Sequence, residues 1–105
     1  MEEVSMEQIV MELVVNAGNA RSKSMEAIKA AKKGDLDLSK EKIKEANELL
    51  NKAHDFQTKL IQSEASGEVI KINLLMVHAQ DHLMNAMTVR DLAKEIISMY
   101  KEFKK

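Results

Sequence analysis

The sequence predicts an all-α fold, an antiparallel three-helix bundle, from three observations. The 105-residue chain contains no proline and only three glycines, and Ala, Leu, Met, Glu and Lys, all strong helix formers, are abundant. Apolar residues recur in alternating three- and four-residue steps, the period of a helix face and not of a strand. Two of the glycines, Gly34 and Gly67, stand where those stretches stop, as left-handed C-caps do. They divide residues 1–105, read as a single domain, into helices at about 5–33, 37–65 and 68–103. Each would be about 40–50 Å long at a rise of about 1.5 Å per residue.

Helix 1 opens on Ser5 and Gln8, the spacing of a capping box. Its stripe is Met6, Val10, Leu13, Ala17, Ala20, Ser24, Ala27 and Ala31. Gly18 interrupts this helix at a cost of about 1 kcal/mol against alanine, which implies close backbone approach or a small irregularity. Helix 2, with Asp37 or Ser39 as the expected cap, repeats Ile43, Ala46, Leu50, Ala53, Gln57 and Leu60. Such stripes favour shallow crossing angles, and alanine knobs allow close approach.

Helix 3 carries two stripes. Ile72, Leu75, Ala79, Leu83, Ala86, Ala93 and Ile97 suffice for packing on helices 1 and 2. Ile70, Leu74, Val77, Asp81, Met84 and Thr88 lie on roughly the opposite side. A three-helix monomer covers only one face of this helix, so the second stripe predicts oligomerisation with helix 3 at the contact. Met76, Met84 and Met87 add adaptable apolar surface.

Composition narrows the function. Seventeen acidic residues nearly cancel sixteen basic ones, which argues against a nucleic-acid-binding surface. The absence of cysteine excludes disulfides and thiolate metal sites. No run of 18 apolar residues occurs, and Met1-Glu2-Glu3 lacks the basic opening of a signal peptide, so a cytoplasmic location is expected.

The chemistry concentrates in Val77-His78-Ala79-Gln80-Asp81-His82-Leu83-Met84. A helix advancing about 100° per residue places His78, Asp81 and His82 on one face, with Asn85 a turn further on. Asp81 sits in the middle of the second stripe, so its copies would converge near the symmetry axis of a closed oligomer. Facing carboxylates repel unless protonated or bridged, and an oxygen-ligated ion such as Mg²⁺ suits them. A polar residue that only specifies register is the alternative. His78 flanks the seam and should line a groove. A histidine of ordinary pKa, about 6.5, is largely neutral near pH 7 and is then a competent nucleophile. His82 is placed to donate a hydrogen bond to a phosphoryl oxygen on His78, and Gln80 on the other flank to face a neighbouring subunit. Two satisfied interface histidines in a non-enzymatic helical module are the rival reading. The i, i+4 histidine pair also has the spacing of a helical zinc site. A zincin needs glutamate where this chain has Ala79, and its third ligand would have to come from elsewhere, such as His54. His54 and Gln57 form a second polar interruption, read as core hydrogen-bonding groups.

Four segments in order carry a family resemblance: Ala17-Gly18-Asn19-Ala20-Arg21-Ser22, Ala53-His54 with Gln57-Thr58, Glu64-Ala65-Ser66-Gly67-Glu68, and His78 to Met84. Together they resemble the IIA component of the lactose/cellobiose (diacetylchitobiose) branch of the bacterial phosphoenolpyruvate-dependent sugar phosphotransferase system, over essentially the whole chain. The resemblance implies a trimer of three-helix subunits with helix 3 near the three-fold axis. It implies that His78 accepts phosphate from the general phosphocarrier protein and passes it to the cysteine of the sugar-specific IIB protein. It also implies one magnesium ion per trimer shared by the three copies of Asp81, and only indirect association with the membrane IIC permease. Ala79 stands where lactose members often have glycine, which inclines the reading to cellobiose or another β-glucoside over lactose.

Overall fold

The computed structural model describes residues 5–103, folded as α1 (Met6–Lys32), α2 (Leu36–Ala65) and α3 (Leu74–Phe103), with no strand among the described residues. Cross-helix contacts fix the directions. Ser39 of α2 meets Ala27 of α1, while Lys42 meets Glu26 and Lys23 meets Glu45, so α1 and α2 run antiparallel. Gln57 pairs with Gln80 and Asn47 with Arg90, so α2 and α3 are antiparallel too. The bundle is narrow, 56 × 26 × 19 Å.

Each boundary has a local cause. The Ser5 hydroxyl accepts from the Gln8 N–H at 3.2 Å, and the Gln8 side chain accepts from the Ser5 N–H at 3.1 Å, completing the capping box. Gly34 and Gly67 take φ of 84° and 101°, as a C-terminal turn requires. The next N–H groups reach back across both turns, Asp35 to the Ala30 carbonyl at 2.9 Å and Glu68 to the Ser63 carbonyl at 3.1 Å. The cap of α2 is neither Asp37 nor Ser39. Asp35 caps it, accepting from the Leu38 N–H at 3.0 Å, because the turn after Gly34 starts the helix one residue before the expected 37. Ser39 instead donates to the Ala27 carbonyl at 2.9 Å inside the α1–α2 contact.

The largest departure is at α3, which begins at Leu74 and not at 68. Val69, Ile70 and Ile72 are β-branched and favour extended backbone. Asn73 then supplies the cap, accepting from the Met76 N–H at 2.9 Å. Ile70 and Ile72 therefore precede the helix. Ile70 packs partly buried against the core, whereas Ile72 is 69% exposed, the reverse of the expected sides.

The core runs along the expected stripes. Leu13, Ala17, Ala20 and Ala27 of α1, Ala46 and Ala53 of α2, and Ala79, Leu83, Ala86 and Ala93 of α3 are fully buried. Met6 is exposed at the end of its stripe, and in α3 Met76 takes the inner place expected of Leu75. Burying Leu13 or Leu83 contributes about 1.5–3 kcal/mol each. α1 packs extensively on both other helices, while α2 and α3 meet less closely. There the ties are polar: Gln57 Nε2 donates to Gln80 Oε1 at 2.9 Å, and Arg90 donates to Asn47 Oδ1 at 2.6 Å.

On the solvent side of α1 and α2, the Lys42 ammonium lies 3.2 Å from Glu26 Oε1 and 3.8 Å from Glu45 Oε2. Lys23 approaches the same Glu45 oxygen at 3.7 Å. That oxygen accepts no hydrogen bond and lies at ion-pair distance from both ammonium groups. The hydrogen bond from Lys42 to Glu26 raises the lysine pKa, despite opposing desolvation.

Candidate functional site

The polar cluster lies in the first third of α3, just past the Asn73 cap, where helix geometry fixes the relative positions of its side chains. His78 is exposed and His82, one turn on, is half-buried. Their rings stack, with centroids 5.3 Å apart and planes inclined by 21°. Stacking holds both rings without occupying a ring nitrogen.

His82 is backed by α1. The Nε2 of His82 is the one side-chain atom within 4 Å of the place where a Cβ on Gly18 would stand, at 3.4 Å. Gly18 thus marks a close approach, and α1 continues unbroken through it. Gln80 points the other way, to α2, and its carbonyl accepts from Gln57 in a half-buried bond. An apolar recess lined by Leu60, Ile61, Ile70, Ile72 and Met76 opens beside that pair. Gln57 is therefore the brace of Gln80, whereas His54 is exposed on α2.

Asp81 is exposed on the outer stripe, between Val77 and Met84, both 52% exposed. Its single partner among the described residues is the Asn85 amide, which donates to Oδ2 at 3.3 Å. Leu74, at 84% exposure, continues this face. Within one chain, no group of three His, Asp or Glu side chains among the described residues is arranged to hold a metal. Within one chain the zinc reading finds no third protein ligand, and His54 does not join the stacked pair. Asp81 offers only oxygen donors, which fit a hard cation, but one carboxylate needs counterparts from other chains.

Residues 8–101 match the family described as "PTS system, Lactose/Cellobiose specific IIA subunit". The chain belongs to this family. Its relatives include the lichenan-specific phosphotransferase enzyme IIA component of Bacillus subtilis, 57% identical over 97 residues, 92% of this chain and 88% of that protein. The crystal structure of the cellobiose-specific enzyme IIA of Bacillus anthracis superposes with a TM-score of 0.93 at 50% identity, covering 98% of this chain and 94% of that one. The solution structure of the chitobiose IIA protein of Escherichia coli in complex with HPr gives a TM-score of 0.83 at 38% identity, covering 98% of this chain and all of that one. The IIA assignment agrees with the three-helix architecture. It is also consistent with the described helices, none of which is long and apolar enough to cross a membrane.

Sequence reasoning missed two features of this site. The Gln57–Gln80 bond joins two residues noted separately, and their partnership depends on how α2 is rotated against α3. The contact of Gly18 with His82 had a faint signal, a glycine in mid-helix, but no means of naming its neighbour.

Proposed function

We propose that this IIA chain is a phosphocarrier, and thus a phosphotransferase component, of a sugar phosphotransferase system. In this reading His78 accepts a phosphoryl group from the phosphohistidine of the general phosphocarrier protein and passes it to the cysteine of the sugar-specific IIB protein. The observation that carries the reading is an exposed imidazole, stacked on a half-buried one, on a helix braced from both sides. Exposure admits a visiting protein, and phosphoryl transfer asks for little beyond positioning and stabilisation of charge. A nitrogen of His78 attacks phosphorus in line as the donor's N–P bond breaks. A thiolate of IIB then attacks, and the bond to His78 breaks in turn. His82 donates a hydrogen bond to the phosphoryl oxygens, and Gln80, held toward α2 by Gln57 and so turned away from His78 of its own chain, lends support only to the groove of a neighbouring subunit in the trimer. The similarity to a chitobiose IIA protein solved with HPr supports HPr as donor.

The outer stripe of α3 serves as the seam of a homotrimer around a three-fold axis. The three Asp81 carboxylates meet there and share one magnesium ion, whose charge offsets their repulsion. The chain works in the cytoplasm and meets the IIC permease only indirectly. Cellobiose or another β-glucoside is the sugar, supported by 57% identity to the lichenan-specific relative against 45% to a lactose-specific one. Incubation with phosphoenolpyruvate and the general phosphotransferases should place one acid-labile phosphate on His78, and a His78→Gln variant should take none. Undiminished labelling of that variant would remove His78 from the role, and absence of any labelling would favour a purely structural helical module.

A further inference from the structure

Gly18 occupies the interior of α1, where only proline is a worse helix former. Its backbone does not call for glycine, because the positive-φ residues among those described are Gly34 and Gly67. Nor does crowding, since a methyl group there would meet His82 Nε2 at 3.4 Å, an ordinary van der Waals contact. Alanine would therefore fit and should strengthen the helix. What it would change is the surroundings of one nitrogen. His82 makes no hydrogen bond among the described residues, and its ring contact is the stack on His78, 5.3 Å between centroids. The absence of a side chain at position 18 leaves Nε2 beside bare helix backbone, with room for an oxygen to approach.

We propose that Gly18 is a positioning residue for His82: by presenting no side chain to Nε2, it keeps that nitrogen open to hydrogen-bond the phosphoryl group carried by His78. The inference rests on the phosphocarrier reading above and adds an α1 residue to the site. A methyl group at 3.4 Å would take the place of the oxygen that this nitrogen needs, without dislodging the ring by steric force.

The test compares the full-length parent with Gly18→Ala, His82→Ala and the double variant, at matched protein concentration. Gly18→Ala should raise Tm by a few degrees. It should also shift the His82 imidazole ¹⁵N resonances in the unphosphorylated protein. Phosphoryl transfer from phosphorylated HPr to His78 should slow by about tenfold, the loss expected for one charge-assisted hydrogen bond. In the His82→Ala background the same change should alter the rate by less than about twofold, since Gly18 acts through that ring. Unmoved His82 resonances, an unaltered transfer rate in Gly18→Ala, or equal slowing in the presence and absence of His82 would each overturn the proposal. If the parent chain takes no phosphate at all, the phosphocarrier reading fails and this purpose fails with it. The His82 resonances then still report whether Gly18 governs the ring.

Discussion

The two faces of α3 are alike in sequence and opposite in circumstance. Along one, Met76, Ala79, Leu83, Ala86 and Ala93 are buried against α1 and α2. Along the other, Leu74, Val77 and Met84 are at least half exposed, with Asp81 among them. Both follow the same helical period, so hydrophobic pattern alone does not say what will cover a face. The inner face is satisfied within the chain. The outer face has no such cover among the described residues, and the proposed trimer would supply it.

Truncating each face separately is the strongest way to break this comparison. Leu83→Ala should cost about 2–5 kcal/mol in denaturant unfolding at every protein concentration, because a fully buried side chain leaves a cavity. Met84→Ala should cost a similar amount only where the trimer is populated, and almost nothing in dilute monomer. Concentration-dependent melting with native mass spectrometry would separate the two. Equal, concentration-independent losses would refute the division of α3 into a core face and a seam.

A smaller effect should follow from Asp81→Asn. If the seam carboxylates share magnesium, saturating Mg²⁺ should stabilise the parent by about 1–3 kcal/mol and leave the variant unaffected. The same magnesium response in both proteins would remove Asp81 as the ligand. The least effect belongs to a region outside the comparison, the ion pairs on α1 and α2. The pKa of Lys42 is raised above its ordinary 10.5, first by its hydrogen bond to Glu26. Its contribution is therefore fully present below the unfolded lysine pKa and fades as pH rises through the higher folded one. Glu26→Gln should therefore lower Tm slightly near neutrality, and in thermal melts against pH the difference from the parent should close above about pH 10, as Lys42 loses its proton.

Most of the bundle could be read from residues that report on themselves. The alanine-rich stripe from Val10 to Ala31, the Ser5–Gln8 capping box and the two terminating glycines are local signals, and each appears as expected. The start of α3 was not legible in this way. The run Val69 to Ile72 is as apolar as a helix face, and only its β-branched character and the capping amide of Asn73 decide the matter. The site divides along the same line. His78, Asp81 and His82 share a turn, so their spacing places them together. Gln57 with Gln80, and Gly18 with His82, lie far apart in the chain, and they meet only through the mutual rotation of packed helices, which no periodicity encodes.

The amide pair between α2 and α3 has one further consequence. The same helix bears the imidazoles proposed to carry and support a phosphoryl group, whereas Gln57 and Gln80 carry no charge at any physiological pH. Salt does not screen such a tie as it screens an ion pair, and titration does not dissolve it. The helix that bears His78 is thus anchored by a fastening indifferent to charge, and in the proposed relay the loaded and unloaded forms would present the same scaffold to successive visitors.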